Sequence, residues 1–388
     1  MRFLTYSDFG FAARLAALYG AIFVMNGIQL PFLPVWLKAK GLDPQAIGLV
    51  LAIPMVVRVF AIAGAARAAD RYDAVRASIA VGCCASVLCY ALVGASEGVV
   101  AIAVAYTFAS LVVAPVVPLT ETYALRGLSL RGKAYGPVRL WGSAAFIAGS
   151  FAAGIASDVM PARDLIWLIV AATAVMAITA FTLEPLSPHA PHSEAAGARK
   201  SLLRDPVFLA VLAAASLIQS SHAVYYSFSA LAWRASGLDG STVAGLWALG
   251  VIAEIVLFAF SSRLPPALTP PVLIMIGGAG GLLRWGAMAF DPPVALLPWL
   301  QLLHALTFGT TYLGALIFVA RRARPGQGAT AQGYLAVATG LATAGATGLS
   351  GQLYAAFGAR AYAAMALAAV AGGACALIAD QLGRRMPR

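Results

Sequence analysis

The feature that most constrains this chain is the length of its apolar runs: twenty or more residues pass with scarcely a charge before each short polar break. A helix rises about 1.5 Å per residue, so some twenty residues cross the roughly 30 Å hydrocarbon core of a bilayer. In that core each backbone N–H and C=O must be paired within the chain, which leaves helices or closed barrels. Barrel strands alternate in short segments, and these runs do not. Charged residues make up 11% of the chain, against about 25% in soluble domains, so lipid rather than water is the implied solvent.

Runs and breakers place helical spans near 11–37, 46–67, 77–95, 98–125, 136–157, 164–183, 206–233, 241–262, 270–290, 293–320, 331–357 and 361–380. The first run passes through Asn26, Gln29 and Pro31 without a small-residue cleavage site, so it is expected to stay as a span. Twelve spans put both ends on one side. Seventeen Lys and Arg lie on that side, Arg71, Arg76, Arg131, Arg321 and Arg384 among them, and five on the other, including Lys40 and Arg163. Both termini are therefore expected in the cytoplasm, with the chain multi-pass in the inner membrane. The net charge of +11 is then a matter of orientation, not of nucleic-acid binding. Cys83, Cys84, Cys89 and Cys375 lie inside apolar runs without metal-ligand spacing and read as packing residues; no metal is expected.

The longest polar break holds Pro185, Pro188 and Pro191 and reads as a linker. It divides the chain into an N-terminal six-helix half (1–184), a cytoplasmic linker (185–205) and a C-terminal six-helix half (206–388). The halves repeat. Gly41-Leu42-Asp43 before span 2 matches Gly237-Leu238-Asp239 before span 8, which sets Arg58 and Glu254 at equivalent places.

A charge at mid-membrane costs about 2.5–3.5 kcal/mol even on lenient scales, so each needs a partner or a wet path. Arg14 lies near a span end, where it can snorkel. The deep set is Arg58, Arg139 and Arg284 against Glu121 and Glu254, a surplus of one positive charge. That surplus favours an anionic solute. Arg139 and Arg284 are candidates to grip a carboxylate bidentately, or to neutralise Glu121 or Glu254, with room for both at different stages. Arg58 is read as charge balance. Glu254, Glu121 and His304 are candidates for proton coupling; His304 alternatively hydrogen-bonds a substrate oxygen. Asn26, Gln29, His222 and Tyr226 are unusually polar for their spans and either line a cavity or bond between helices. Trp141 and Tyr226 would suit an aromatic ring. Five glycines of span 11, Gly333 to Gly351, read as a close-packing surface.

Twelve spans in two similar halves, with Asp70-Arg71 and Arg76 in the loop after span 2, resemble the major facilitator superfamily over the whole chain. Asp73 and Ala66 stand where that loop pattern has glycine, and Asp70 and Arg71 are read as its gating loop. Glu121, Arg139, Glu254, Arg284 and His304 resemble, span by span, the ionisable set of lactose-permease-like proton symporters. The stretches Tyr135–Ser143, Leu246–Glu254 and Leu303–Gly309 resemble the phenylpropionate-permease branch. Thr307 occupies the place of a glutamate that serves proton coupling in the lactose permease. The resemblance implies an all-α fold of two pseudo-symmetric six-helix halves. It also implies a monomeric secondary transporter, not an enzyme, that takes up a small organic anion such as an aryl-alkanoate with protons by alternating access. Symport of a neutral sugar or nucleoside and proton-driven export are the rivals; against export, Leu140–Phe146 of span 5 holds no Gly-Pro pair. No Gly-x-x-x-x-Gly-Lys loop is present, so a proton gradient rather than ATP or a cofactor is the expected drive.

Overall fold

The computed structural model describes residues 6–186, 202–323 and 327–385. Most of the expected linker, residues 187–201, thus lies outside the described residues. The rest is helical: α1 (Tyr6–Ala39), α2 (Pro44–Arg71), α3 (Val75–Ala95), α4 (Val99–Val113), α5 (Val116–Ser129), α6 (Tyr135–Val159) and α7 (Ile166–Phe181), then α8 (Pro206–Ser220), α9 (Ala223–Ala235), α10 (Gly240–Phe260), α11 (Pro270–Met288), α12 (Leu297–Leu302), α13 (Thr311–Arg322), α14 (Gly328–Phe357) and α15 (Tyr362–Arg385). Among the described residues, eleven continuous helical stretches are long and apolar enough to cross a membrane. The last, Thr330–Arg385, has 56 residues. At about 1.5 Å per residue that is far more than one crossing, and it turns at Gly358 (φ 56°) between α14 and α15, giving twelve passes. Phe60, Leu88 and Leu367 are each more than 70% exposed, a surface that only lipid tolerates.

Three passes are interrupted. Pro115 separates α4 from α5, and Ser221 and His222 separate α8 from α9. Between α12 and α13 the chain makes a π-helical turn, Ala305–Thr310, directly after His304. Such turns free backbone groups and re-aim side chains, and they gather at functional sites.

The described chain clusters into two compact units: Met1–Ala190 with Ser229–Trp247, and Pro191–Phe228 with Ala248–Arg388. In the first, α1 packs on α6 and α7, and Phe11, Leu15, Tyr19, Cys83 and Met176 are fully buried. Gly27 and Gly149 bring α1 and α6 into backbone contact: a Cβ on Gly27 would fall on the Phe146 carbonyl, and one on Gly149 on that of Val24. Also in this unit, the Asp158 carboxylate accepts N–H bonds from Gly240 (2.8 Å) and Ser241 (3.3 Å) at the start of α10 and pairs with Arg234. A negative group at a helix N-terminus meets orphan N–H donors and the positive end of the dipole. In the second unit α8, α11 and α15 pack around Val211, Ile218, Ile274 and Ala376.

The sequence repeat is a repeated corner. After α1, Gly41 takes φ 87°, Leu42 N–H returns to Leu37 O, and Asp43 Oδ1 caps Ala46 N–H at 2.8 Å. After α9, Gly237 takes φ 90°, Leu238 N–H returns to Trp233 O, and Asp239 Oδ1 caps Thr242 N–H at 2.6 Å. Each is a glycine-terminated helix followed at once by a carboxylate-capped one. Arg58 and Glu254 each lie fourteen residues after the first residue of the helix so started.

Overpacking a tight contact costs about 1–3 kcal/mol. Gly27→Ala should therefore lower the melting temperature of detergent-purified protein by several degrees. Gly20→Ala, two turns earlier on the same face but with only Ala145 Cβ at 4.0 Å, should leave it unchanged. Equal melting of the two variants would show that the α1–α6 approach does not limit stability.

Candidate functional site

Arg284 is delivered by α11 into the second unit's interior, where it is 0% exposed. The small residues Gly277, Gly280 and Gly281 precede it and let α11 lie close to the π turn and to α15. Its guanidinium donates from Nη2 to Gln301 Oε1 at 2.7 Å, and from Nη1 to His304 Nδ1 at 3.0 Å and Thr307 Oγ1 at 3.3 Å. The faces of Tyr225 and Trp285 lie 4.7 and 4.5 Å from its Cζ. Every one of these acceptors is neutral. No ion pair joins Arg284 to a carboxylate among the described residues, and its Nε–H and the amide nitrogen of Gln301 are buried without an acceptor there.

The direction of these bonds fixes the histidines. An arginine N–H can only donate, so His304 Nδ1 must offer its lone pair and the ring proton sits on Nε2. That proton points to Glu254, whose Oε2 is 3.6 Å away. On the other side, His222 Nδ1 faces the Gln219 carbonyl at 3.1 Å and must carry the proton of the neutral ring. His222 Nε2, 3.0 Å from Thr307 Oγ1, then accepts the threonine proton, while the threonine oxygen accepts from Arg284. A single polarised chain runs from Arg284 outward, through His304 to Glu254 and through Thr307 to His222. His222 also stacks on Tyr226 (5.5 Å) and meets Trp285 edge-on (5.1 Å). Both histidines sit at helix interruptions, His222 between α8 and α9 and His304 at the head of the π turn.

The first unit holds a second polar cluster. Tyr90 donates to Gln29 Oε1 at 2.7 Å, and Gln29 Nε2 donates to the Tyr106 hydroxyl at 2.9 Å. Gln29 and Tyr106 line a cavity of about 280 Å³ with Asn26, Ser110 and Arg58. Arg139, on α6, lies with its Cζ 4.1 Å from the Phe23 ring and 5.7 Å from that of Tyr19. The charges of Glu121 and Arg139 both act on the Tyr19 hydroxyl, yet no ion pair joins the two among the described residues.

The structure thus brings together Glu254, His304, Arg284, His222 and Tyr226, and separately Asn26, Gln29 and Arg58. Trp141 is 63% exposed in an alanine-lined groove between α1 and α6, on a different face from Arg139 two residues earlier. Asp70 and Arg71 end α2; the Asp70 side chain lies outside the described residues, and Arg71 is exposed, beside the Tyr72 ring. Gln301, Thr307 as an acceptor, and the Tyr90–Tyr106 pair were not singled out from sequence for the parts they take here. Gln301 had one signal: it stands three residues before His304, on the same helical face.

The pattern of the MFS_1 like family matches residues 12–386. A probable 3-phenylpropionic acid transporter of Escherichia coli (strain K12) is 33% identical over 314 residues, 79% of this chain and 82% of that protein. The maltose permease of Geobacillus stearothermophilus is 27% identical over 331 residues, 83% and 82% of the two chains. Among solved structures, the nucleoside transporter NupG aligns with a TM-score of 0.80 at 17% identity, over 97% of this chain and 100% of that one. A bacterial homologue of the human lysosomal transporter Spinster aligns at 0.73 and 14%, over 97% and 98%. At such identities the structural matches speak for the fold alone.

Leaving a buried donor or acceptor unmade costs about 1–3 kcal/mol. Thr307→Val keeps the shape but removes both the acceptor for Arg284 and the donor for His222, and should lower the melting temperature clearly. Thr307→Ser should stay near wild type in the same thermal-unfolding measurement; a valine variant as stable as the serine one would break the proposed chain.

Proposed function

Because the chain belongs to the MFS_1 like family, and is a multi-pass membrane transporter of the major facilitator superfamily, we propose that it imports a small organic anion together with protons. One observation carries this reading: a fully buried arginine held by neutral acceptors, one of them a histidine whose far nitrogen faces the Glu254 carboxylate at 3.6 Å. A buried cation without a counter-charge is costly, and an incoming carboxylate supplies what it lacks. The deep arginines Arg58 and Arg139 likewise have no carboxylate partner among the described residues, which extends the same preference.

The hydrogen-bond directions supply a coupling rule. His304 Nδ1 either accepts an N–H from Arg284 or carries a proton, and cannot do both. A substrate carboxylate that draws Arg284 toward itself frees Nδ1 to take a proton, which Glu254 on the far side of the ring then stabilises. Release of the anion lets Arg284 return and expel that proton. Anion and proton travel together because they compete for and against the same guanidinium. Arg139, spread on aromatic faces with its donors uncommitted, serves as a second grip.

The E. coli relative points to an aryl-alkanoate as the anion, and the aromatic cluster of His222 stacked on Tyr226 and edge-on to Trp285 suits an aromatic body. A neutral sugar or nucleoside brings donors of its own into a site already rich in donors. The positive residues on the side of the ends support an inner-membrane carrier with both termini cytoplasmic, working as a monomer by alternating access, with no cofactor.

In proteoliposomes, an inward proton gradient should drive accumulation of 3-phenylpropionate above equilibrium, and equal uptake after the gradient is collapsed would sink symport. Glu254→Gln should abolish accumulation yet keep exchange of labelled for unlabelled substrate. Arg284→Gln and Arg139→Gln should each lower uptake at least tenfold; wild-type rates in both would remove their role as grips.

A further inference from the structure

The cavity in the first unit is a site in its own right. It is bounded by α1, α2, α4 and α5, and its volume of about 280 Å³ equals roughly nine waters at ~30 Å³ each. Its polar wall is asymmetric. Arg58 contributes five N–H donors and has no hydrogen-bond or ion-pair partner among the described residues. Arg58 and Tyr106 line the same cavity. Tyr106, 8% exposed, accepts the Gln29 N–H and also hydrogen-bonds Ser110, so its hydroxyl is pinned at the cavity lining. Gln29 cannot swing away to relieve this, because Tyr90, fully buried, holds its other end. Asn26 spends its N–H on the Ile22 carbonyl. The rest of the α2 lining is apolar: Leu51, Met55 and Ile62 stand on the same helical face as Arg58, and Val113 of α4 adds to them.

A pocket that sets a half-buried guanidinium among apolar side chains of α2, with a pinned phenol from α4 in the same lining, suits a small molecule with an anionic head and a compact apolar tail. We propose that Arg58 and Tyr106 bind the carboxylate of a monocarboxylic acid of about ten non-hydrogen atoms, with Met55 and Leu51 against its tail. Arg58 is then a substrate contact, where the sequence suggested charge balance only. Methionine adapts to irregular shapes, so the tail is read loosely and the head strictly. The pairing with Glu254 also gains a meaning: at equivalent depths the two halves place an anion-binding group and a proton-handling one.

This rests on the organic-anion reading, and titration calorimetry on the full-length protein in detergent separates the two. The probes are 3-phenylpropionate and its neutral amide, matched in shape. Wild type should prefer the acid at least tenfold. Arg58→Gln should cut that preference severalfold by weakening the acid alone, the remainder being what Arg284 and Arg139 supply, and Arg58→Lys should restore part of the loss. Met55→Trp, which fills the cavity while keeping the charge, should weaken both probes, and it holds the test open should the Arg58 variants fail to fold. If wild type prefers the acid and Arg58→Gln keeps both affinity and preference, the Arg58 site is wrong and the anion reading stands. If wild type binds the amide as well as the acid, or neither, the anion reading falls and takes this site with it.

Discussion

The interaction on which the rest of this structure depends is the hydrogen-bonded containment of Arg284. A guanidinium in a hydrocarbon-embedded interior must have its donors met, and the second unit meets them with an amide oxygen, an imidazole nitrogen and a hydroxyl rather than a carboxylate. Each choice propagates. Because the arginine can only donate, it dictates the tautomer of His304; the Gln219 carbonyl dictates that of His222, whose Nε2 is thereby left to accept from Thr307. The π turn after His304 and the break before α9 are the backbone's side of the same arrangement, setting both rings within reach of one residue on α11. A carboxylate in place of Gln301 would have satisfied the arginine more fully and left nothing for a ligand to do.

Much of the fold was legible because burial in lipid is a coarse, additive property that a run of twenty residues states plainly. The corner repeat was legible too, since glycine at positive φ followed by a capping aspartate is a chemical requirement written in residue identity. The helix interruptions were legible only in part. Pro115 stands at one break, yet Pro31, Pro34 and Pro54 lie inside unbroken helices; at Ser221–His222 the side chains of Ser220, Ser221 and His222 bond the carbonyls of Leu217, Ile218 and Gln219, and at the π turn Gln219 reaches the Phe308 carbonyl.

The candidate site divided along similar lines. Charged residues in spans are conspicuous, and Glu254, Arg284 and His304, far apart in sequence, were grouped on that ground. Neutral polar residues are conspicuous where they cluster, as Asn26 and Gln29 do, whereas Gln301 and Tyr106 stand singly in apolar stretches, and Thr307 stands out for what it replaces rather than what it accepts. Neutralisation of Glu121 by Arg139 would require the two opposite charges of neighbouring spans to meet, and no ion pair joins them among the described residues. Arg139 instead spreads over Phe23 and Tyr19, aromatic faces that hydropathy counts only as apolar bulk.

The repeated Gly-Leu-Asp corner has a consequence for how these halves can diverge. It acts as a datum from which depth in the membrane is counted, since helix geometry downstream converts residue number into height and bearing. One residue inserted between Pro44 and Arg58, or between Gly240 and Glu254, would turn the charge by about 100° and shift it by about 1.5 Å. Substitutions in these helices can accumulate freely on the lipid face, whereas insertions and deletions there are barred. The distance in sequence from corner to charge is therefore the trait by which distant members carrying the same pair should be recognised, even where every intervening side chain has changed.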